Sequence, residues 1–243
     1  MSVTHADSEA ALANALLSAL PDNVRAALLE HATIEALDRK RVLWEPAQPI
    51  ASVWFPLSGV ISLVTVMRDG DMVEMATVGR EGVVGVHALL GTDSMRNVRA
   101  MCQVPGRSVA VDVSEFRTVA AASDDLRDLV HRYAHATLVT TAQEVACNRL
   151  HPLEQRCARW LMTTRDQVGS DEFGLTQEFL AEMLGVRRAS VTLAAGELQK
   201  AGLIRYRRGF IEILDPEGLA RASCECHDVI RAELDLVAGG PTA

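Results

Sequence analysis

The chain has 243 residues, is 49% hydrophobic and 23% charged, and carries a net charge of −8. That is room for one large or two medium globular domains. No apolar run approaches the roughly eighteen residues of a membrane span, and the five cysteines (Cys102, Cys147, Cys157, Cys224, Cys226) are too scattered for a disulfide framework. The N-terminal stretch is acidic and has no basic n-region, so a cytoplasmic protein with reduced thiols and no membrane partner is expected.

Residues 8–20 predict an amphipathic helix that Pro21 interrupts. Asp22 caps a second helix, Asn23–His31. From Ile34 the pattern turns to short β runs: Ile34–Leu37, Arg41–Trp44, Ser52–Pro56, Val60–Met67, Met72–Val78, Val98–Val104 and Ser108–Val113. Turn signals separate them, among them Pro56-Leu57-Ser58-Gly59, Asp69-Gly70 and Pro105-Gly106. Short strands at close, regular spacing predict a β-sandwich or roll of the jelly-roll kind.

Helix resumes at Ser114, first over 114–122 and then over Asp124–Leu150. A helix of roughly 25 residues spans about 40 Å, too long to flank a small roll alone. One stripe on it is Leu126, Val130, Tyr133, Thr137, Thr140 and Cys147; a second is Leu129, Ala136, Val139 and Val145. Two stripes predict two partners, the roll and a second copy of the helix. Leu126, Val130, Tyr133, Thr137 and Thr140 are assigned to the homodimer contact. One broad face packed inside the monomer is the plainer alternative.

His151-Pro152 breaks the helix and marks a hinge. Leu153–Val168 predicts the first helix of a new domain, with Leu153, Cys157, Trp160 and Leu161 inward. Gly169 to Glu172 reads as a turn. Thr176 is a good N-cap, Phe179, Leu180, Met183 and Leu184 follow at helical spacing, and Gly185 ends the helix. A second helix starts near Arg188, buries Val191, Ala194, Ala195 and Leu198, and stops at Gly202. Two short helices around a glycine turn, with small Ala181 between them, are a helix-turn-helix.

The alternating residues Ile204–Ile213 add a two-stranded wing bearing Arg205, Arg207 and Arg208. From Arg187 to Arg208 six basic residues face one acid, Glu197, a local charge of +5 on an acidic chain. That is an electrostatic footprint for phosphate. The DNA-contacting set is read as Arg187, Arg188, Ala189, Ser190, Thr192, Leu193, Lys200, Arg205, Arg207 and Arg208. Asp215-Pro216 starts a small helix, and Gly239–Ala243 reads as a frayed tail. The domains divide as 1–122, 123–150 and 151–243.

The order of roll, long helix, proline hinge and winged helix-turn-helix resembles the Crp/Fnr family of bacterial transcription regulators. The resemblance is strongest over Leu175–Ile204 and visible again in Pro56-Leu57-Ser58-Gly59-Val60-Ile61. It implies an α+β fold: an N-terminal cyclic-nucleotide-binding-like β-roll, a dimerisation helix and a C-terminal DNA-binding domain. It implies no catalysis. The partners it implies are a second copy of the chain, a palindromic double-stranded operator and RNA polymerase. A ligand-sensing module acting through protein contacts, with a vestigial helix-turn-helix, is the alternative.

In the family an arginine, a glutamate and a second arginine of the recognition helix read bases. Arg188 matches the first, while Ala189 and Leu193 stand where the others would be. Arginine pairs with guanine, whereas alanine and leucine offer only apolar contacts, so a different operator is implied.

The family's ligand cassette corresponds to Gly79–Leu90 followed by Met95–Ala100. Cyclic-AMP binders use Gly-Glu-Leu-Gly for the ribose and an Arg-Ser pair for the phosphate. Here Val83 replaces the glutamate, Glu81 lies two residues early, and Asn97 or Ala100 follows Arg96 or Arg99. The expected effector set is Arg80, Glu81, Val83, Val84, Gly85, Arg96, Asn97 and Arg99. It suits another nucleotide held by Arg80, Arg96 or Arg99, or an empty roll.

Two further groups are weighed against structural roles. His87 could ligate haem, but a lone histidine in an apolar segment is more often structural. Cys224-Glu225-Cys226-His227 could hold metal or undergo oxidation, but it counts three ligands where a closed site needs four, so a helix surface is preferred and no metal is expected. For catalysis there is no nucleophile–base pair, paired-carboxylate site, P-loop or H-E-x-x-H.

Overall fold

The computed structural model describes residues 9–239. The tail expectation from Gly240 onward, and Ser8 of the first helix, lie outside them. The predicted first helix is interrupted: residues 9–11 are helical, a turn follows, and α1 (Ala15–Ala19) starts anew. Asn14 stops it from extending backwards. Its side-chain oxygen accepts from the Leu16 and Leu17 amides at 3.1 Å, and its amide donates to the carbonyls of Pro56 and Gly82 at 3.0 and 2.9 Å. A buried polar side chain thus caps the helix and ties it to the roll. Helix α2 (Asp22–Glu30) follows.

The roll is one antiparallel sheet of β1 (Ala32–Leu37), β2 (Val42–Trp44), β3 (Ser52–Val66), β4 (Met72–Val78) and β5 (Val98–Asp112). The order is β1-β5-β3-β4, with β2 also paired to β5. Pairs of expected strands have merged: Ser52–Pro56 with Val60–Met67, and Val98–Val104 with Ser108–Val113. The glycine signals there mark bulges, where β3 and β5 cross closely, and not hairpins. A Cβ on Gly59 would stand 2.4 Å from the Val104 carbonyl oxygen, and one on Gly106 2.1 Å from that of Ser58. Asp69-Gly70 does close the β3–β4 hairpin, with Gly70 at φ +93°. The short 3-10 turn Val86–Leu89 sits in the cassette.

Helix α3 (Val113–Ala122) leads into α4 (Asp124–Leu150), which Ser123 caps through the Leu126 amide. The C-terminal part holds α5 (Leu153–Val168), β6 (Glu172–Gly174), α6 (Gln177–Leu184), α7 (Arg188–Lys200), β7 (Ile204–Arg207), β8 (Phe210–Ile213), α8 (Pro216–Ala222) and α9 (Cys226–Val237). The expected turn at Glu172 is the start of β6, which pairs with β8 as a third wing strand. Helix α9 was not foreseen; it runs back along α4 and α5, burying Ile230 and Val237. Among the described residues no helix is long and apolar enough to cross a membrane.

The dimer assignment on α4 needs correction. Leu126, Val130 and Tyr133 are 1%, 3% and 5% exposed and belong to the same core as the roll strands. Tyr133 packs so close to the cassette that a Cβ on Gly82 would sit 2.5 Å from its hydroxyl. Thr137 and Thr140 are half-buried over a partly open cavity. This face is spent inside the protomer. The stripe left open is Leu138, Ala142 and Val145, with Leu138 73% and Val145 66% exposed.

The C-terminal domain docks on the roll's outer face. Val64 and Met101 of the sheet share a core with Trp160, Leu161 and the helix-turn-helix. Polar bonds frame that seam. Trp160 Nε1 donates to Glu74 Oε1 at 2.7 Å, and Gln167 Nε2 donates to Glu81 Oε1 at 2.8 Å. Arg159, 3% exposed, makes a bidentate pair with Glu144 of α4 at 2.5 and 2.7 Å.

Candidate nucleic-acid interface

The helix-turn-helix forms for the reasons its sequence suggests. Thr176 Oγ1 accepts from the Phe179 amide at 3.2 Å, and Gly185 ends α6 at φ +64°. Val191, Ala194, Ala195 and Leu198 bury one face of α7 against α5 and α6. Thr192 Oγ1 donates to Gln177 Oε1 at 2.9 Å and locks the two helices together. The opposite face presents Arg188, Ala189, Thr192, Leu193 and Lys200 to solvent, with Ser190 half-buried. Leu193 is 72% exposed, a large apolar side chain with no packing role inside the chain.

Beside it, β7 and β8 form the wing. Arg208 and Gly209, at φ +46° and +83°, make the two-residue turn, and both signs are those of a type I′ hairpin. The basic residues differ in availability. Lys200 pairs with Glu197 at 2.6 Å and Arg205 with Glu212 at 2.5 Å. Arg187, Arg188, Arg207 and Arg208 are exposed and have no ion pair among the described residues. Unpaired guanidinium groups thus stand at the start of α7 and at the tip of the wing.

The start of α7 borders a groove whose other wall is the β3–β4 hairpin. Met67, Gly70, Asp71, Met72 and Val73 line one side; Arg187, Arg188 and Ser190 line the other. A Cβ on Gly185 would lie 3.1 Å from Val73.

Two domain families match the chain. The Crp-like helix-turn-helix domain covers residues 155–222, and the cyclic nucleotide-binding domain covers residues 34–123. The chain belongs to the Crp/Fnr family of transcription regulators. The global nitrogen regulator of a Nostoc species is 22% identical to this regulator over 196 residues, 77% of this chain and 88% of that one. Among solved structures, a Crp/Fnr-family regulator from Eubacterium rectale superposes with a TM-score of 0.67 at 15% identity, covering 85% of this chain and 96% of its own. FixK2 from Bradyrhizobium japonicum gives a TM-score of 0.67 at 14% identity, covering 79% and 98%.

Behind the interface the regulator holds a partly open cavity of about 240 Å³ between the roll, α4, α5 and α9. Of the expected effector residues, Glu81, Val83 and Gly85 line it. Val84 is buried in a β-bridge to Trp54. Arg80, Arg96 and Asn97 are exposed, and Arg99 pairs with Glu45 at 2.7 Å. No arginine lines the cavity, while Glu81 and Glu144 do. That corrects the expected nucleotide pose, because none of the three arginines meant to hold it reaches the cavity.

Burial raises the Glu81 carboxyl above its usual range, and burial lowers His87, which favours the neutral imidazole. His87 Nε2, Thr163 Oγ1 and Gln167 Oε1 are buried without partners, and all three residues line this cavity. Thr163 and Gln167 come from the DNA-binding half, so no cassette motif could have pointed to them.

The cysteines also regroup. His227 leaves the expected Cys224-Glu225-Cys226-His227 cluster and bonds Asp166 at 2.9 Å. Cys147 and His151 take its place. The ligand atoms of Cys147, His151, Cys224 and Cys226 all lie within 4.8 Å of one another.

Proposed function

We propose that this regulator binds a palindromic operator as a homodimer, with Arg188 reading a base and Arg207 and Arg208 holding phosphates. RNA polymerase is the further partner and the cytoplasm the setting. The division into 1–122 for sensing, 123–150 for dimerisation and 151–243 for DNA binding goes with this reading, α9 being a return brace on the middle segment. The observation that carries it is a recognition helix whose basic start is unpaired on a chain of net charge −8. The dimer contact is the open Leu138, Ala142 and Val145 stripe, and two such stripes side by side would set two recognition helices on one face of a duplex.

Selection on random duplexes tests this directly. A two-fold-symmetric site should be enriched, and binding should fall steeply with salt as phosphate counterions are released. Arg188→Ala should weaken specific binding by about 1–3 kcal/mol and relax preference at one position of each half-site. A shallow salt slope with no enriched palindrome would favour a protein-contact module instead.

The cavity supports a small, largely apolar effector with one or two hydrogen-bonding groups. His87, Thr163 and Gln167 would supply partners, because unpaired buried polar atoms are costly until something bonds them. Cyclic AMP does not fit these groups. Val83 offers the ribose hydroxyl nothing, and no arginine faces the space. Calorimetry with cyclic AMP should show no micromolar isotherm; a stoichiometric one would overturn this part of the reading.

A further inference from the structure

We infer that Cys147, His151, Cys224 and Cys226 form a closed mononuclear site for a thiophilic divalent cation of the zinc type. The sequence distributes the four ligands over two distant segments. Cys147 and His151 stand four residues apart at the end of α4, where the His151 amide donates back to the Cys147 carbonyl at 3.1 Å. Cys224 and Cys226 flank the start of α9. Folding brings the pairs together across 77 residues of chain.

The distances suit one metal ion. Zinc–sulfur bonds of about 2.3 Å and zinc–nitrogen bonds of about 2.0 Å give a tetrahedron with ligand–ligand edges of roughly 3.5–3.8 Å. Here Cys147 Sγ and Cys224 Sγ are 3.5 Å apart, and Cys226 Sγ and His151 Nδ1 are 3.5 Å apart. Ligand atoms this close share a single ion, whereas an iron–sulfur cluster sets its own sulfides between its cysteines and spreads them. Three sulfurs and one imidazole are a ligand set of structural zinc sites.

The surroundings orient the ligands as metal sites require. His151 Nε2 lies 3.3 Å from Glu225 Oε2. That contact puts the ring proton on Nε2 and leaves the Nδ1 lone pair aimed at the sulfurs. Gln143 Nε2 donates to Cys226 Sγ at 3.0 Å and holds that sulfur in place. The three cysteines are 0–5% exposed and form a cluster of their own, apart from both domain cores. On binding, each of the three thiols gives its proton to solvent and its lone pair to the cation, with no change of oxidation state.

The ion would pin the end of the long helix, the His151-Pro152 hinge and α9 at one point. It would fix how the DNA-binding domain leaves α4. This inference rests on the chain alone and stands or falls separately from the operator, the dimer and the effector.

The test uses the full chain, purified with a thiol reductant and no chelator from zinc-supplemented cells. Plasma mass spectrometry should find one zinc per chain, and cobalt exchange should give tetrahedral d–d bands with thiolate-to-cobalt charge transfer. Cys224→Ser and Cys226→Ser should each cut retained metal at least tenfold, while Cys102→Ser, away from the cluster, should keep it. Should a cysteine variant fail to fold by circular dichroism, His151→Gln keeps all three sulfurs and should shift the cobalt bands without abolishing charge transfer. Wild-type chain that takes up neither zinc nor cobalt overturns the assignment. So does iron with acid-labile sulfide, or a Cys147–Cys224 disulfide under reductant.

Discussion

Leu138→Asp is expected to turn a dimer into monomers, and to cost operator affinity far more than loss of any single phosphate contact. Leu138 sits 73% exposed at the middle of α4, four residues from Ala142 and seven from Val145. That spacing keeps the three on one side of the helix, the arrangement of a two-helix seam. Two aspartates facing each other across a two-fold axis would be desolvated like charges, which costs several kcal/mol. A monomer then reaches only one half-site. Val130→Asp should behave differently. Val130 is 3% exposed in the roll core, so a charge there leaves an unpaired buried carboxylate and unfolds the protomer. Light scattering with circular dichroism separates these outcomes: a folded monomer for Leu138→Asp, and loss of structure for Val130→Asp. A dimer that survives Leu138→Asp would place the contact elsewhere.

How much of this was legible in the sequence depended on whether the information was local. The helix-turn-helix was fully legible, because Thr176, Gly185, Gly202 and the α7 stripe act within a few residues of themselves. The Arg208-Gly209 turn was legible for the same reason. The glycines at 59 and 106 signal turns between strands, since a backbone crossing and a turn both call for glycine and only the partner strand tells them apart. The two stripes of α4 were visible, but their assignment to roll and partner was not. Periodicity gives the number of faces, and Tyr133 against Gly82 reveals which one the roll takes. The effector arginines were placed by a motif that had lost its neighbours, and they point to solvent or to Glu45. Helix α9 hid behind a four-residue ligand pattern, in which His227 was adjacent in sequence and His151 adjacent in space.

The seam between roll and DNA-binding domain is expected to weaken as pH rises, through Glu74. Its carboxyl is pushed up to about 8 from the usual carboxylate range, first by burial and then by the nearby Glu144. A hydrogen bond from Trp160 and the charge of Arg159 pull the other way. The bonding pattern suits a protonated acid. Ser62 Oγ lies 2.5 Å from Gln103 Oε1, which can only accept, so the serine proton goes there. Ser62 Oγ is then free to accept from Glu74 Oε2, 3.1 Å away, if Glu74 carries the proton. A carboxyl raised on folding binds a proton that the unfolded chain releases near 4.5. Its contribution is therefore fully present below about 4.5 and is lost progressively up to about 8, flattening above that. Glu74 is half-buried by area, which discounts the linkage value, so the loss from neutral to mildly alkaline pH is on the order of 1 kcal/mol or less, with the larger part lost between about 4.5 and 7. Glu74→Gln keeps an acceptor for Trp160 and a donor for Ser62 but cannot ionise. Thermal unfolding midpoints should fall with pH in the wild type and stay nearly level in Glu74→Gln. Parallel slopes for the two proteins would show that another group governs the seam.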